Sequence, residues 1–95
     1  MNWILSTEDK LQHLDYMKSL IESLEEIGET ADAQEEIEHR NTFLLSSNEK
    51  AMKRMIIDKQ FELIESFGSW QNAEKRLNDK NLKFAQKVLK GAEEE

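Results

Sequence analysis

Residues 47–67 read SNEKAMKRMIIDKQFELIESF and form the most apolar stretch of the chain. On a helix, Ile57, Phe61 and Ile64 share one apolar face at spacings of four and three residues. A larger apolar face lies about a third of a turn away, at ~100° per residue. A helix that is apolar over most of its circumference needs several neighbours, or a partner, to cover it. The stretch therefore predicts the central helix of an all-α protein. The larger face carries Met52, Met55, Ile56, Leu63 and Phe67.

The composition also favours helices. The chain of 95 residues has no proline and three glycines, and 35% of its residues are charged. A chain of average composition would hold ~5% proline, and proline is the residue that most strongly interrupts helices. Cysteine is absent, which excludes a disulfide framework and thiol chemistry. This length allows one domain with a modest core.

Three or four helices are predicted, and they should form an antiparallel bundle that is completed by self-association. The bundle is expected to be a single domain over residues 1–92, followed by a disordered acidic tail at residues 93–95. The expected helices cover about residues 7–27, 30–46, 47–67 and 70–90.

Capping and turn residues set these bounds. Ser6, followed three residues later by Asp9, has the pattern of a capping box at the start of the first helix. Gly28 is expected to end that helix, because glycine readily adopts the left-handed conformation found just after helices. By the same reasoning, Ser69 should cap the last helix and Gly91 should end it.

The connection at Ser46, Ser47 and Asn48 has two interpretations. Their side chains can bond to nearby backbone groups, which would end one helix and start the next. Alternatively, one long helix runs from Thr30 to Phe67. In either case Thr30 is a candidate N-cap for the acidic segment that follows it.

Charge is distributed unevenly along the chain. Residues 1–47 carry three Lys/Arg and eleven Asp/Glu, whereas residues 48–92 carry ten and six. The net charge of −7 disfavours non-specific binding to nucleic acid or an anionic membrane. In the last predicted helix, basic residues recur every three or four positions and form a basic stripe. The stripe comprises Arg76, Lys80, Lys83, Lys87 and Lys90.

The basic stripe can serve two purposes. In the favoured interpretation it faces acidic surface of the same chain or of a second copy, which orients a protein–protein contact. In the alternative, it binds the phosphates of nucleic acid or of an anionic membrane surface, with Trp70 and Phe84 beside it.

Glu36 and His39 have the Glu-x-x-His spacing found in helical di-iron carboxylate proteins. Such a site needs further ligands, which a homodimer could supply through a second copy of the motif. A solvated glutamate and histidine are the favoured interpretation, because a single short motif often arises by chance. We therefore predict no metal site and no cofactor. His13 lacks a nucleophile nearby in sequence and is expected at the surface or at a boundary.

No arrangement of residues indicates catalysis, so the sequence favours a non-enzymatic helical interaction module. Such a small adaptor, regulator, chaperone or inhibitor would bury an apolar helix face against a partner or a second copy. With no long apolar segment and no signal sequence, a cytoplasmic protein is expected. The residues predicted to contact a partner are Trp3, Ile57, Phe61, Ile64, Arg76, Lys80, Lys83 and Lys87.

Overall fold

The computed structural model describes residues 3–93, and all the regular secondary structure in this range is helical. The helices make up 84% of it, so the prediction of an all-α protein is confirmed. None of these helices is both long enough and apolar enough to cross a bilayer. The helices are α1 (Thr7–Glu26), α2 (Thr30–Leu45), α3 (Glu49–Ser66), α4 (Trp70–Arg76) and α5 (Asp79–Glu93).

The start and the end of α1 follow the predicted capping pattern. The backbone N–H of Asp9 donates to Ser6 Oγ at 3.1 Å, and the backbone N–H of Ser6 donates to Asp9 Oδ2 at 3.2 Å. These two bonds complete a capping box. After α1, Gly28 has a φ of +79°, and the Glu29 N–H donates to the Leu24 carbonyl at 2.9 Å. The glycine thus ends the helix as predicted.

The chain between α2 and α3 breaks, so residues 30–67 form two helices. Asn48 starts α3 by accepting a bond from the Ala51 N–H at 3.2 Å, and Ser46 Oγ accepts from the Asn48 N–H at 3.2 Å. The predicted Thr30 cap is wrong: Glu29 precedes the first residue of α2, and its side chain makes no capping bond.

The predicted single helix over residues 70–90 is wrong, because the chain divides there into α4 and α5. Leu77 adopts an extended conformation with ψ of 142°. Asn78 then accepts a hydrogen bond from the Asn81 N–H at 2.8 Å and caps α5. The Asn78 side chain therefore takes the place of a backbone carbonyl as the acceptor for this N–H group. This favours the start of a new helix over continuation of α4. The Ser69 cap of α4 is confirmed by a bond from the Asn72 N–H at 3.2 Å.

The prediction that Gly91 ends the last helix is also wrong. Gly91 lies buried inside α5, which continues to Glu93. A Cβ on Gly91 would lie 2.8 Å from the Cβ of Trp3, so the missing side chain gives Trp3 room to pack on the helix. Glu93 is helical, in contrast to the predicted disordered tail, and residues 94–95 of that tail lie outside the described residues.

The described chain divides into two compact units. Residues 5–52 form the hairpin unit, in which α1 and α2 pack against each other. Residues 3–4 and 53–93 form the C-terminal unit. Buried apolar residues of the hairpin unit include Met17, Ile21, Ala33 and Phe43, and those of the C-terminal unit include Trp3, Ile56, Ile57, Ala73, Phe84 and Val88.

Candidate protein-interaction groove

An apolar groove lies within the C-terminal unit. It encloses about 400 Å³. Its lining combines aromatic and aliphatic side chains with one amide, one cation and one carboxylate. We call it the apolar groove, and it is lined by Phe61, Ile64, Trp70, Gln86, Leu89, Lys90 and Glu93.

The second apolar face of α3 supplies one wall of the groove. Phe61 is 46% exposed, and Ile64, one turn further on, is half-buried. Neither residue lies on the fully buried face of α3, which includes Ile56. Phe61 and Ile64 of the second apolar face therefore line the groove, whereas Ile57 of the same face is buried.

The turn between α3 and α4 positions Trp70 in the groove. Gly68 has a φ of +85°, a conformation that glycine adopts at little cost. Ser69 then caps α4, and the Asn72 side chain donates to the Phe67 carbonyl at 3.0 Å. Because Trp70 is the first residue of α4, these bonds fix the backbone of a residue that lines the groove.

Helix α5 supplies the other wall. Gln86, Leu89 and Glu93 lie on one face of α5 at spacings of three and four residues, and Lys90 lies beside them. Leu89 adds apolar surface, while Lys90 and Glu93 place opposite charges at the same groove. The arrangement can bury an apolar side chain and can also pair with both signs of charge.

The side chains on the buried face of α3 are unexpectedly polar. Lys59 and Gln60 are 7% and 2% exposed, and the Lys59 Nζ forms an ion pair with Glu62 Oε2 at 2.9 Å. Gln60 Oε1 has no hydrogen-bond partner among the described residues. The helix therefore buries two polar residues while it exposes Phe61, the reverse of the usual preference.

The structure separates the predicted contact residues into three groups. Phe61 and Ile64 come together in the apolar groove. Trp3 and Ile57 are buried, at 6% and 1% exposed, and have almost no surface to offer a partner. For Trp3 the reason is its packing on Gly91, which sequence spacing alone could not indicate. The basic side chains form the third group, which is exposed.

The predicted basic residues are exposed, but they do not follow one helix. Arg76 ends α4, whereas Lys80, Lys83 and Lys87 lie on α5 after the break at residues 77–78. The spacing of four residues between Arg76 and Lys80 therefore does not place them one turn apart. Lys90, which the sequence also placed in the stripe, lines the apolar groove.

His39 lies beside a histidine from the neighbouring helix. The Nε2 atoms of His39 and His13 are 3.4 Å apart, and the His13 ring also contacts Phe43 with a centroid separation of 4.6 Å. His13 is completely buried, so its predicted surface or boundary position is wrong. Residues 13 and 39 meet only because α1 and α2 pack as a hairpin. Nowhere in residues 3–93 do three or more His, Cys, Asp or Glu side chains converge as a metal site.

Comparisons of the chain with protein-family models, with curated proteins and with solved structures found no match.

Proposed function

We propose that this protein is a non-enzymatic helical interaction module and that its apolar groove is covered by the same groove of a second copy. The observation that carries this proposal is the inverted pattern on α3. Phe61 is 46% exposed, whereas Lys59 and Gln60 are almost fully buried. In this proposal, the antiparallel helical bundle expected from the sequence is completed by the second copy.

The exposed groove surface has a free-energy cost that association would remove. Phe61, Ile64 and Trp70 lie next to one another, and contiguous apolar surface of this kind marks interaction sites. Fully removing a large apolar side chain from water contributes ~1.5–3 kcal/mol. Aromatic residues at the centre of a contact also contribute most to binding. The groove thus supports association.

Charge at the groove favours a second copy as its occupant. In a two-fold dimer, the same patch of both chains meets, so residue i contacts residue j and j contacts i. Lys90 and Glu93 line the groove three residues apart and carry opposite charges. Across a two-fold axis, Lys90 of each copy can therefore pair with Glu93 of the other. A groove with one sign of charge would lack this self-complementarity.

The molar mass in solution tests the proposal. Sedimentation equilibrium from low to high micromolar concentration should show the wild type rising from the monomer mass of 11.2 kDa towards twice that value. The Phe61→Glu variant should remain monomeric, because a charge would enter the apolar contact. Leu45→Glu is the matched control: Leu45 is 86% exposed in the hairpin unit, so this variant should still dimerise.

A charge exchange tests the two-fold geometry itself. Lys90→Glu and Glu93→Lys should each weaken the dimer, because each places like charges across the interface. The combined variant should restore wild-type association. A wild type that stays at 11.2 kDa throughout would overturn the proposal, as would equal loss of association in Leu45→Glu and Phe61→Glu. Failure of the combined variant to recover would overturn the two-fold pairing.

A further inference from the structure

The second site lies in the hairpin unit, where α1 and α2 bring two imidazole rings together. His13 Nε2 and His39 Nε2 are 3.4 Å apart, and their ring centroids are 5.5 Å apart. His13 is fully buried and His39 is half-buried. The two nitrogens therefore face each other at the interface between two packed helices.

The distance between the nitrogens fits two ligands of one metal ion. A hydrogen bond from an N–H group ordinarily spans about 2.7–3.2 Å, so 3.4 Å is long for a direct bond. Zinc lies about 2.0–2.1 Å from imidazole nitrogens, and at the tetrahedral angle two such nitrogens are about 3.3–3.4 Å apart. The observed separation of 3.4 Å matches that of two imidazole nitrogens bound to one zinc ion.

The same residues connect the site to the Glu36-x-x-His39 motif. From the sequence, that motif could bind metal only if a second copy of the chain supplied further ligands. The structure supplies a second imidazole from α1 of the same chain. Residues 3–93 contain no group of three metal-binding side chains, so the two imidazoles are the protein ligands of the proposed site.

We propose that His13 and His39 bind a divalent first-row transition-metal ion through their Nε2 atoms, with zinc as the representative ion. Imidazole nitrogens suit zinc, cobalt, nickel and copper, whereas magnesium and calcium prefer oxygen ligands. An ion held by both rings links α1 to α2. It therefore stabilises the folded hairpin, by an amount that grows with the logarithm of the ion concentration once this concentration exceeds the dissociation constant.

Thermal unfolding of the tag-free protein tests this site. Zinc chloride should raise the Tm of the wild type, and magnesium chloride should leave it unchanged. His39→Gln removes one of the two ligands at a half-buried position, so the zinc-induced rise in Tm should be lost. Glu38→Gln changes an exposed side chain on the same helix and should keep the wild-type response.

Cobalt(II) provides a measurement that needs no variant. Cobalt bound by both rings should selectively shift and broaden the NMR signals of His13 and His39 in the wild type. This readout remains informative even if His39→Gln does not fold. The proposal is overturned if millimolar zinc leaves the Tm unchanged, if His39→Gln responds as the wild type does, or if cobalt affects other residues instead.

Discussion

The two units of the molecule expose apolar residues in different ways. In the hairpin unit, Leu44 and Leu45 are 57% and 86% exposed, but they are consecutive residues at the end of α2, where neighbouring side chains point ~100° apart. In the C-terminal unit, exposed Phe61 lies in one groove with Ile64 and Trp70. Single exposed apolar residues are normal on protein surfaces, whereas contiguous ones indicate a binding surface. The arrangement of exposed apolar residues thus indicates a binding surface better than the exposed fraction of any one of them.

The units also differ in charge. The hairpin unit, residues 5–52, carries four Lys/Arg and twelve Asp/Glu, and residues 53–93 carry nine and six. The hairpin unit nevertheless buries polar His13, and the C-terminal unit buries Lys59 and Gln60. Net charge therefore describes what each unit presents to solvent but does not indicate what lies inside it.

The largest effect is expected from placing a carboxylate in the most enclosed position of α3. Ile56 is 0% exposed, and Ile56→Asp should lower the free energy of unfolding by about 3–5 kcal/mol, because the charge is buried without a partner. Ile37 on α2 is half-buried, so Ile37→Asp should cost clearly less. Urea unfolding of both variants measures the difference. Equal losses would mean that the two positions are equally enclosed.

A smaller loss is expected where the chain start packs on α5. Gly91→Ala should cost about 1–3 kcal/mol, because the new Cβ would lie 2.8 Å from the Trp3 Cβ. In a Trp70→Phe background, the fluorescence of Trp3 should report its displacement into water. In a Trp3→Ala background the clash disappears, and Gly91→Ala should be neutral or stabilising because alanine favours helices. A loss of the same size in both backgrounds would contradict the contact.

Helix starts allow a matched comparison between the units. Asn78→Ala should cost about 1 kcal/mol, because it removes the 2.8 Å cap of α5. Glu29 makes no side-chain cap for α2, so Glu29→Ser should be neutral or gain up to about 1 kcal/mol. Denaturant unfolding measures both changes. A loss in the serine variant would show that Glu29 stabilises the turn in another way.

Local sequence signals predicted local features well. Helical class, the Ser6 and Ser69 caps and the helix end at Gly28 all depend on neighbours a few residues away. The errors arose where distant residues meet. Gly91 could not be recognised as a packing site for Trp3, and His13 gave no sign that it would face His39. For the candidate site, the second face of α3 was visible as Phe61 and Ile64, whereas the contribution of α5 depended on tertiary packing.

One helix boundary was missed for a different reason. Asn78 interrupts the predicted helix over residues 70–90 by capping α5, a local effect that the apolar and basic repeats obscured. The spacing of apolar and basic residues continued through residues 77–78, although the helix itself did not. A regular repeat of charged residues therefore does not establish one continuous helix. Whether capping residues occur within the segment is the better guide.

The smallest change in stability is expected from reversing the basic stripe, and it separates two functions. Lys80, Lys83 and Lys87 are exposed on α5, so replacing all three with glutamate should change the free energy of unfolding by no more than ~0–1 kcal/mol per contact. If the stripe orients protein contact, self-association should weaken modestly, and salt should weaken it in the wild type, because screening acts over ~8–10 Å near physiological ionic strength.

A phosphate-binding stripe makes a different prediction. Neutralising about five phosphates would give a log–log slope of binding constant against salt of about −4 to −5. We expect no such binding to DNA at near-physiological salt, because the hairpin unit carries eight more acidic than basic residues. Fluorescence anisotropy with labelled DNA, alongside sedimentation of the wild type and the triple variant, measures both properties. One result would contradict the protein-contact interpretation: the wild type binds DNA with a steep salt dependence, and the triple variant loses this binding but keeps its self-association. The stripe would then bind phosphate and not protein.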